Sequence, residues 1–178
     1  MKCERCLIVA IGPGGLIGTK EGGLPWKSDE DFQFFRNTTA GWPVIFGENT
    51  YKNMPTTPLP NRLNIVVSTD AAPGIDPKGN LVFGSIESAL DFAKNFSRVF
   101  IAGGRMVYKY ALENNLVDRI FLSEIKGEFS GDVYFPIPDF QKWLSDNGWK
   151  MEYSTPSKST APEVLFMEWV NPPPPSVK

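Results

Sequence analysis

Three acidic residues at 29–31 stand directly before an aromatic run, and their spacing assigns them different roles. If Ser28 is the N-cap of a helix, all three fill its first turn, where the helix dipole favours carboxylates. Phe34 and Phe35 follow Asp31 at helical spacing, which places Asp31 on the apolar face. An ionised carboxylate is almost never buried without a partner, because desolvation is costly. We therefore expect Asp31 to need a cationic partner and to be the acid that does chemistry.

The chain contains no histidine, which excludes a histidine-based triad or general base. Carboxylates, hydroxyls or a bound cofactor must therefore carry any chemistry. Cys3 and Cys6 form a lone C-x-x-C, and without histidine a zinc site lacks evident further ligands. Because the pair stands at a terminus that we expect to be frayed, a metal or redox role is the weaker interpretation, and we expect no metal site.

A glycine-containing turn follows the apolar strand predicted at 98–103. Backbone N–H groups near Gly104, Arg105 and Met106 are suited to face a phosphate, and glycine permits its close approach. The spacing is not G-x-G-x-x-G, so the turn alone fits simple strand-to-helix packing as well.

Two further strand ends carry hydroxyl groups. Thr50 stands near a predicted helix start, where it is either a ligand or a cap, and Ser68 and Thr69 lie just past the end of another apolar strand. The carboxyl ends of parallel strands meet at one edge of the sheet, around the crevice where α/β proteins bind nucleotides. The three turns together predict a nucleotide-binding crevice.

One arginine, Arg62, stands directly before a buried strand in "PLPNRLNIVV". Two interpretations are open for it. It either forms a surface ion pair, or it offers a fixed guanidinium at the edge of a cleft for a bidentate bond to a ligand carboxylate.

These residues are positioned by apolar β-branched runs that alternate with helical patterns. Nearly continuous apolar strands indicate a sheet that is covered on both faces, and the alternation predicts an α/β fold with a largely parallel sheet. The last two strands alternate apolar and polar residues and predict an antiparallel hairpin at a sheet edge. The predicted strands are 6–11, 42–47, 63–69, 81–84, 98–103, 119–125, 149–154 and 163–170, and the predicted helices are 28–39, 48–54, 85–96 (capped by Ser85) and 104–115.

Length and charge limit the class of protein. The 178 residues fit one domain, 1–170, followed by a proline-rich tail, 171–178, that we expect to be disordered. With 18 basic against 20 acidic residues and no basic run, nucleic-acid and membrane binding are poorly supported, and a small-molecule partner is favoured. The N-terminal apolar stretch is too short for a membrane span and does not match a signal peptide, so we expect a cytoplasmic location. We also expect a monomer.

The ordered set of motifs resembles the dihydrofolate reductase family over about residues 6 to 170. The resemblance implies an eight-stranded, mostly parallel sheet with about four helices. It also implies NADPH-dependent reduction of dihydrofolate to tetrahydrofolate, a step of one-carbon metabolism that antifolate-type molecules inhibit. The matching motifs are "VA" 9–10, "IG" 17–18, "LPW" 24–26 with Asp31, "FF" 34–35, "VIFGENTY" 44–51, "LPNRLNIVVS" 59–68, "IAGGRMVY" 101–108, "LSEI" 122–125 and "GDVYFP" 131–136.

The resemblance assigns roles by position. Asp31 matches the acid that pairs with N3 and the 2-amino group of the pterin and promotes protonation at N5. Trp26 matches a tryptophan that orders a water, Ser123 a hydroxyl that bonds the acid, and Arg62 the arginine that binds the glutamate α-carboxylate. The other implied substrate contacts are Ile8, Val9, Leu24, Phe32, Phe35, Met54, Leu59, Ala102 and Tyr108. The implied NADPH contacts are Ala10, Ile17, Gly18, Asn49, Thr50, Ser68, Thr69, Gly103, Gly104, Arg105, Met106 and Val107.

The chain departs from the family pattern in several places. Glu48 and Asn49 stand where relatives often carry a basic residue toward the cofactor phosphates, which leaves open how strongly NADPH is preferred over NADH. Ser123 replaces the more usual threonine, and Ala102 replaces a larger aliphatic residue, so the pocket is expected to be roomier. The loop 18–23 and the turn 55–58 each look one residue longer than in short bacterial relatives, and the glycines of the loop suit a mobile lid.

Two other functions compete with this interpretation. A reductase of the same fold acts on a ribosylated aminopyrimidine in riboflavin synthesis, and fold alone does not fix the substrate. A non-catalytic binding protein would keep the pocket without turnover. The stretch from "LPW" to Asp31 favours a pterin over the first, and the presence of Asp31, Trp26 and Ser123 argues against the second.

Overall fold

The computed structural model describes residues 2–54 and 57–172. Its strands are β1 Glu4–Ile11, β2 Leu16–Gly18, β3 Pro43–Gly47, β4 Leu63–Val67, β5 Gly74–Ile75, β6 Leu81–Phe83, β7 Arg98–Ile101, β8 Arg119–Ile125, β9 Val133–Tyr134, β10 Lys150–Thr160 and β11 Glu163–Val170. Its helices are α1 Asp29–Thr39, α2 Glu48–Lys52, α3 Ile86–Ala93, α4 Arg105–Glu113 and α5 Phe140–Asp146.

One sheet of nine described strands organises the chain, in the order β10-β11-β8-β1-β7-β3-β4-β6-β5. The six strands from β8 to β6 run parallel, whereas β10, β11 and β5 pair antiparallel. The predicted parallel sheet with an antiparallel C-terminal hairpin is therefore confirmed. The ninth strand is β5, a two-residue edge strand, and β2 pairs with β9 in a separate ribbon.

The predicted helices are present, and two begin as their sequences indicate. Ser28 accepts a hydrogen bond from the N–H of Asp31, and Ser85 accepts one from the N–H of Ser88, so both serines are N-caps. The fifth helix, α5, was not predicted. It follows Asp139, which has a left-handed backbone (φ 48°) and provides no side-chain cap.

The helices cover both faces of the sheet. On one face α1 and α2 contribute Phe34, Phe35 and Tyr51 to a cluster with Cys6 and Ile8 of β1. The other face packs against α3, α4 and α5, in clusters that contain Leu7, Val9, Ala89, Ala111 and Leu144 among others.

The two cysteines, Cys3 just before β1 and Cys6 within it, pack on opposite faces of the sheet. Cys3 packs against α3, and Cys6 belongs to the cluster under α1. Both thiols are free and buried, so the expectation of a frayed terminus was wrong. The physical reason is that β1 is an interior strand, paired with β7 from Glu4 onward.

Two observations concern the predicted boundaries of the chain. In the described part, no helix is long and apolar enough to cross a membrane. The predicted proline-rich tail lies outside the described residues from position 173 onward.

Charged residues hold the amino ends of β1 and β8 together. Asp118 accepts hydrogen bonds from the Arg5 side chain at 2.9 and 3.0 Å and from the Arg5 backbone N–H at 2.9 Å. Burial raises the pKa of Asp118, but the hydrogen bonds from Arg5 outweigh this effect, so the net pKa lies below the ordinary value. The ionised carboxylate therefore stabilises the fold.

We expect Asp118→Asn to lower the free energy of unfolding by about 1–2 kcal/mol near neutral pH, because charge-assisted hydrogen bonds are lost. This loss of stability relative to wild type should be complete above about pH 5. It should shrink as pH falls below about 4, because Asp118 of the wild type is then protonated through its lowered pKa. Urea denaturation across this range measures it. Asp146→Asn removes an exposed i,i+4 pair with Lys142 and should change stability by less than about 0.5 kcal/mol. Equal losses in the two variants would contradict a special role for Asp118.

Candidate active site

The backbone and the side chain of Asp31 do different work. Its N–H completes the cap with Ser28 at 3.1 Å, while its side chain is buried, at 7% exposure. The Ser123 hydroxyl, also buried, hydrogen-bonds the carboxylate. Burial raises the pKa of Asp31, and the bond from Ser123 only partly opposes this. Among the described residues no cation pairs with Asp31, so the partner expected from the sequence is not supplied by this part of the protein.

Trp26 is buried close to the helix that carries Asp31. It packs in a cluster with Leu16, Ala10 and Phe34. Its ring contacts that of Phe129 edge to face, with 5.7 Å between the ring centroids. Its indole N–H has no hydrogen-bond partner among the described residues. Buried donors are rarely left unpaired, so this N–H is a candidate donor to a bound water or ligand.

Most of the apolar residues that the resemblance assigned to the substrate slot lie together in the structure. Ile8, Phe35, Met54, Leu59 and Ala102 belong to one cluster on the α1 face of the sheet. Leu24 and Phe32 are about half exposed, at 54% and 51%, and do not belong to that cluster. Val9 and Tyr108 also lie outside that cluster, because their side chains pack in the core of the opposite face. For Val9 only the backbone is left on the slot side.

Tyr108 links the slot to the nucleotide turn. Its hydroxyl donates to the carbonyl of Ile8 at 2.8 Å, and a Cβ at Gly103 would lie 3.4 Å from that hydroxyl. Burial, and then the negative charge of Asp31, raise the pKa of Tyr108 above its ordinary value. The phenol is therefore a neutral donor at physiological pH.

The guanidinium of Arg62 is fixed by the backbone of α1. It donates to the carbonyl of Arg36 at 3.0 Å, and its buried Nε has no partner among the described residues. Burial, and then the positive charge of Arg36, lower the pKa of Arg62. No acidic side chain in the described ranges neutralises it. The surface ion pair, one of the two interpretations of the sequence, is thus not observed in this part of the chain, and the positive charge is available to an anion.

Glycines bring two of the predicted nucleotide turns into contact. The N–H of Gly47 donates to the carbonyl of Gly103 at 2.8 Å, and a Cβ at Gly104 would lie 2.5 Å from Thr50 Oγ1. Helix α4 begins at Arg105 without a side-chain cap, so its first N–H groups are open to an anion. These open N–H groups suit a diphosphate, so the binding of a dinucleotide at this turn stays a prediction.

In the third turn, after β4, the Ser68 hydroxyl is hydrogen-bonded within the protein. Ser68 is buried; its hydroxyl donates to Glu48 at 2.5 Å and accepts from the N–H groups of Asp70 and Ala71. Thr69 is exposed, so it is the hydroxyl of this turn that a ligand can reach.

The remaining predicted cofactor residues differ in exposure. Arg105 donates to the carbonyl of Tyr134 at 2.6 Å, which directs its guanidinium toward β9. Met106 is 68% exposed, Asn49 is exposed, Val107 and Gly18 are buried, and Ile17 is partly buried.

The loop 18–23 is held by residues to which the sequence assigned no role. The Asp132 carboxylate accepts from the N–H of Lys20 at 2.7 Å, and a Cβ at Gly131 would lie 2.7 Å from the Gly18 carbonyl. The sequence did contain a signal for these residues, because the motif "GDVYFP" at 131–136 matched the family although no role was assigned to it. The predicted turn 55–58 lies partly outside the described residues.

A cavity of about 510 Å³ lies apart from these residues, between the start of α1 and the hairpin tip. There Glu30 accepts from the N–H groups of Lys158 and Ser159. Its lining is polar and open, without the buried acid and apolar slot that define the site around Asp31.

Comparison with known proteins decides the family. The family model for dihydrofolate reductase matches residues 5–167. This chain belongs to the dihydrofolate reductase family. The dihydrofolate reductase of Haemophilus influenzae is 34% identical over 137 residues, 77% of this chain and 81% of the relative, and that of Bacillus subtilis is 34% identical over 148 residues, 82% and 84% of the two chains. A solved dihydrofolate reductase from Enterococcus faecalis, complexed with NADP(H) and RAB-propyl, superposes with a TM-score of 0.80 at 27% identity, covering 96% of this chain and 98% of that one.

We expect Asp31→Asn to raise the free energy of unfolding near neutral pH, by about 1–3 kcal/mol, because a buried carboxylate without a cation is destabilising. Ionised Asp31 destabilises the wild-type protein fully only above the pKa that it has in the folded state. The stability gained by Asp31→Asn should therefore shrink as pH falls toward about 4, the ordinary carboxyl pKa. Thermal and urea unfolding measure it. Asp29→Asn, an exposed acid of the same turn, should instead cost up to about 1 kcal/mol through the helix dipole. A loss of stability in Asp31→Asn would mean that the carboxylate serves as a cap.

Proposed function

We propose that the chain catalyses NADPH-dependent reduction of 7,8-dihydrofolate to 5,6,7,8-tetrahydrofolate, with hydride transfer to C6 and protonation of N5. The observation that carries the proposal is the buried Asp31 carboxylate, which has no described cation and lies beside an apolar slot. Family membership and the relatives reported above support the same reaction.

Asp31 anchors the substrate. The pterin presents two adjacent donors, N3–H and the 2-amino group, to the two carboxylate oxygens, and such bidentate, charge-assisted pairs are strong. The pair offsets the desolvation of the acid, which the apo protein bears alone. The Ser123 hydroxyl keeps the carboxylate oriented, and this orientation is the role we assign to it.

The chain's own residues also handle the proton and the cofactor. The indole N–H of Trp26, which no described residue accepts, would orient a water near the pterin oxygen, while Asp31 favours protonation at N5. NADPH supplies the hydride when it is bound. Ala10 and Ile17 flank its nicotinamide end, and the turn from Gly103 to Val107 receives its diphosphate.

The competing functions are less well supported. An aminopyrimidine reductase of the same fold is not favoured, because the family match and the similar relatives are dihydrofolate reductases. A non-catalytic binding protein has no need of Asp31, Trp26 and Ser123 together. Binding of antifolate-type molecules follows from the shared site. A monomeric state, a cytoplasmic location and the lack of nucleic-acid or membrane partners stay predictions from the sequence.

The direct test is NADPH oxidation measured with and without dihydrofolate, with tetrahydrofolate identified as the product. Dihydrofolate-dependent oxidation is expected. Tight dihydrofolate binding without oxidation would instead establish the non-catalytic alternative.

In the same assay, Asp31→Asn should lower turnover by about 10²–10⁴, the usual effect of losing an acid–base residue. The variant should recover part of its activity as pH falls, because a substrate protonated in solution needs less help from the enzyme. Stopped-flow or steady-state rates across pH measure this. Turnover within about twofold of wild type would remove Asp31 from the mechanism.

For Arg62→Leu we expect KM for dihydrofolate to rise about 10–100-fold with little change in kcat, because a bond remote from the reacting carbon contributes uniform binding. A dihydropterin that lacks the glutamate provides the control and should be unaffected. If both substrates suffer equally, Arg62 is structural, through its bond to the Arg36 carbonyl.

A further inference from the structure

An acid occupies the junction of two nucleotide turns. Glu48 is the first residue of α2, directly after β3, and it accepts a hydrogen bond from Ser68, just past the end of β4, at 2.5 Å. Lys52 pairs with it one helical turn later, at 2.7 Å. The Glu48 side chain remains 25% exposed, so it is fixed in position and still reachable by a ligand.

The order of strands determines which part of a dinucleotide meets Glu48. The nicotinamide must lie beside the pterin at Asp31, near the carboxyl end of β1, and the diphosphate at the turn after β7. The strands continue in the order β1-β7-β3-β4. The adenosine end of an extended cofactor therefore reaches the turns after β3 and β4, where Glu48 and Ser68 meet.

The charges at that end are poorly suited to a phosphate. Glu48 is acidic, and Asp70 is a second, exposed acid in the turn after β4. Lys52, the cation one helical turn further along α2, is already paired with Glu48. The Arg105 guanidinium donates to the carbonyl of Tyr134 in β9 and not to the turn that holds Ser68. Among the described residues, the hydrogen-bond partners of the Ser68 hydroxyl are Glu48 and the N–H groups of Asp70 and Ala71, none of them a cationic side chain.

We propose that Glu48 determines the cofactor specificity of this reductase by removing the advantage of the adenosine 2′-phosphate, so that NADH serves about as well as NADPH. The proposal rests on the proposed function and deepens it. A carboxylate accepts a hydrogen bond from a free ribose 2′-hydroxyl, which is how acids at such strand ends select NAD over NADP. A 2′-phosphate in the same place brings a doubly negative group next to Glu48, and the adjacent cation Lys52 is already paired with that acid.

Binding, measured without turnover, tests the proposal first. Isothermal titration with NADP⁺ and with NAD⁺ should give Kd values within about tenfold of each other, and kcat/KM for NADPH and NADH should agree within the same factor. A preference for the 2′-phosphorylated nucleotide above about tenfold, which is about 1.4 kcal/mol, would overturn it.

Substitutions then assign the effect to one residue. Glu48→Arg should shift the NADP⁺/NAD⁺ affinity ratio at least about tenfold toward NADP⁺, because the like charge becomes an opposite one. Glu48→Gln removes only the charge and still accepts from Ser68, so it should shift the ratio by a smaller factor in the same direction. An unchanged ratio in both variants would overturn the assignment.

A matched control separates a local effect from net charge. Glu113 pairs with Lys109 through the same i,i+4 spacing, at the far end of α4. Glu113→Arg alters the net charge equally and should leave the affinity ratio unchanged; an equal shift would mean that the effect is not local to Glu48. The outcomes also separate the two proposals. If neither nucleotide binds, the proposed function fails with the inference, whereas binding and turnover with a strong NADPH preference defeat only the inference.

Discussion

The site depends on one electrostatic constraint, a carboxylate that is held on an apolar helix face and has no cationic partner among the described residues. The cap at Ser28 fixes the start of α1, the phenylalanines that follow anchor the helix to the sheet, and Asp31 is carried inward with them. The fold bears the desolvation cost because Phe34 and Phe35 pack against the sheet. In the described part of the chain, the Ser123 side chain is the one group that favours the ionised carboxylate. The remaining demand is for a cationic or doubly donating ligand, which is the property of a pterin.

The parallel sheet places the proposed pterin slot around Asp31 next to the turns proposed to bind the cofactor. Strand β1 carries Ile8 on the face toward α1, and the adjacent turns after β7 and β3 are joined by the Gly47–Gly103 hydrogen bond. The proposed slot for a pterin and the proposed cradle for a diphosphate therefore lie on neighbouring strands of one sheet. This arrangement suits hydride transfer, which requires the two reactants to be held in one geometry.

Local sequence signals predicted the regular framework and the inward position of Asp31. Apolar runs correctly predicted the parallel strands, and serine caps correctly predicted the starts of α1 and α3. Signals that depend on tertiary contacts were missed. Helix α5 is short and begins at an uncapped left-handed Asp139, and β2 and β9 contain only a few residues that pair across 115 or so positions. Cys3 is buried because it directly precedes β1, an interior strand of the sheet, and the local sequence does not reveal that position. The engagement of Ser68 by Glu48 likewise depends on β3 and β4 being neighbours.

The most direct test of this account is the pKa of Asp31, measured by NMR of carboxyl-labelled protein, with Asp31→Asn to assign the signal. In the free protein we predict a value above the ordinary carboxyl pKa of about 3.9, because burial outweighs the bond from Ser123. With a bound pterin the carboxylate should stay ionised to lower pH, since the ligand supplies the missing partner. A pKa at or below about 3.9 in the free protein would contradict the account, because it would mean that the protein itself already satisfies the charge.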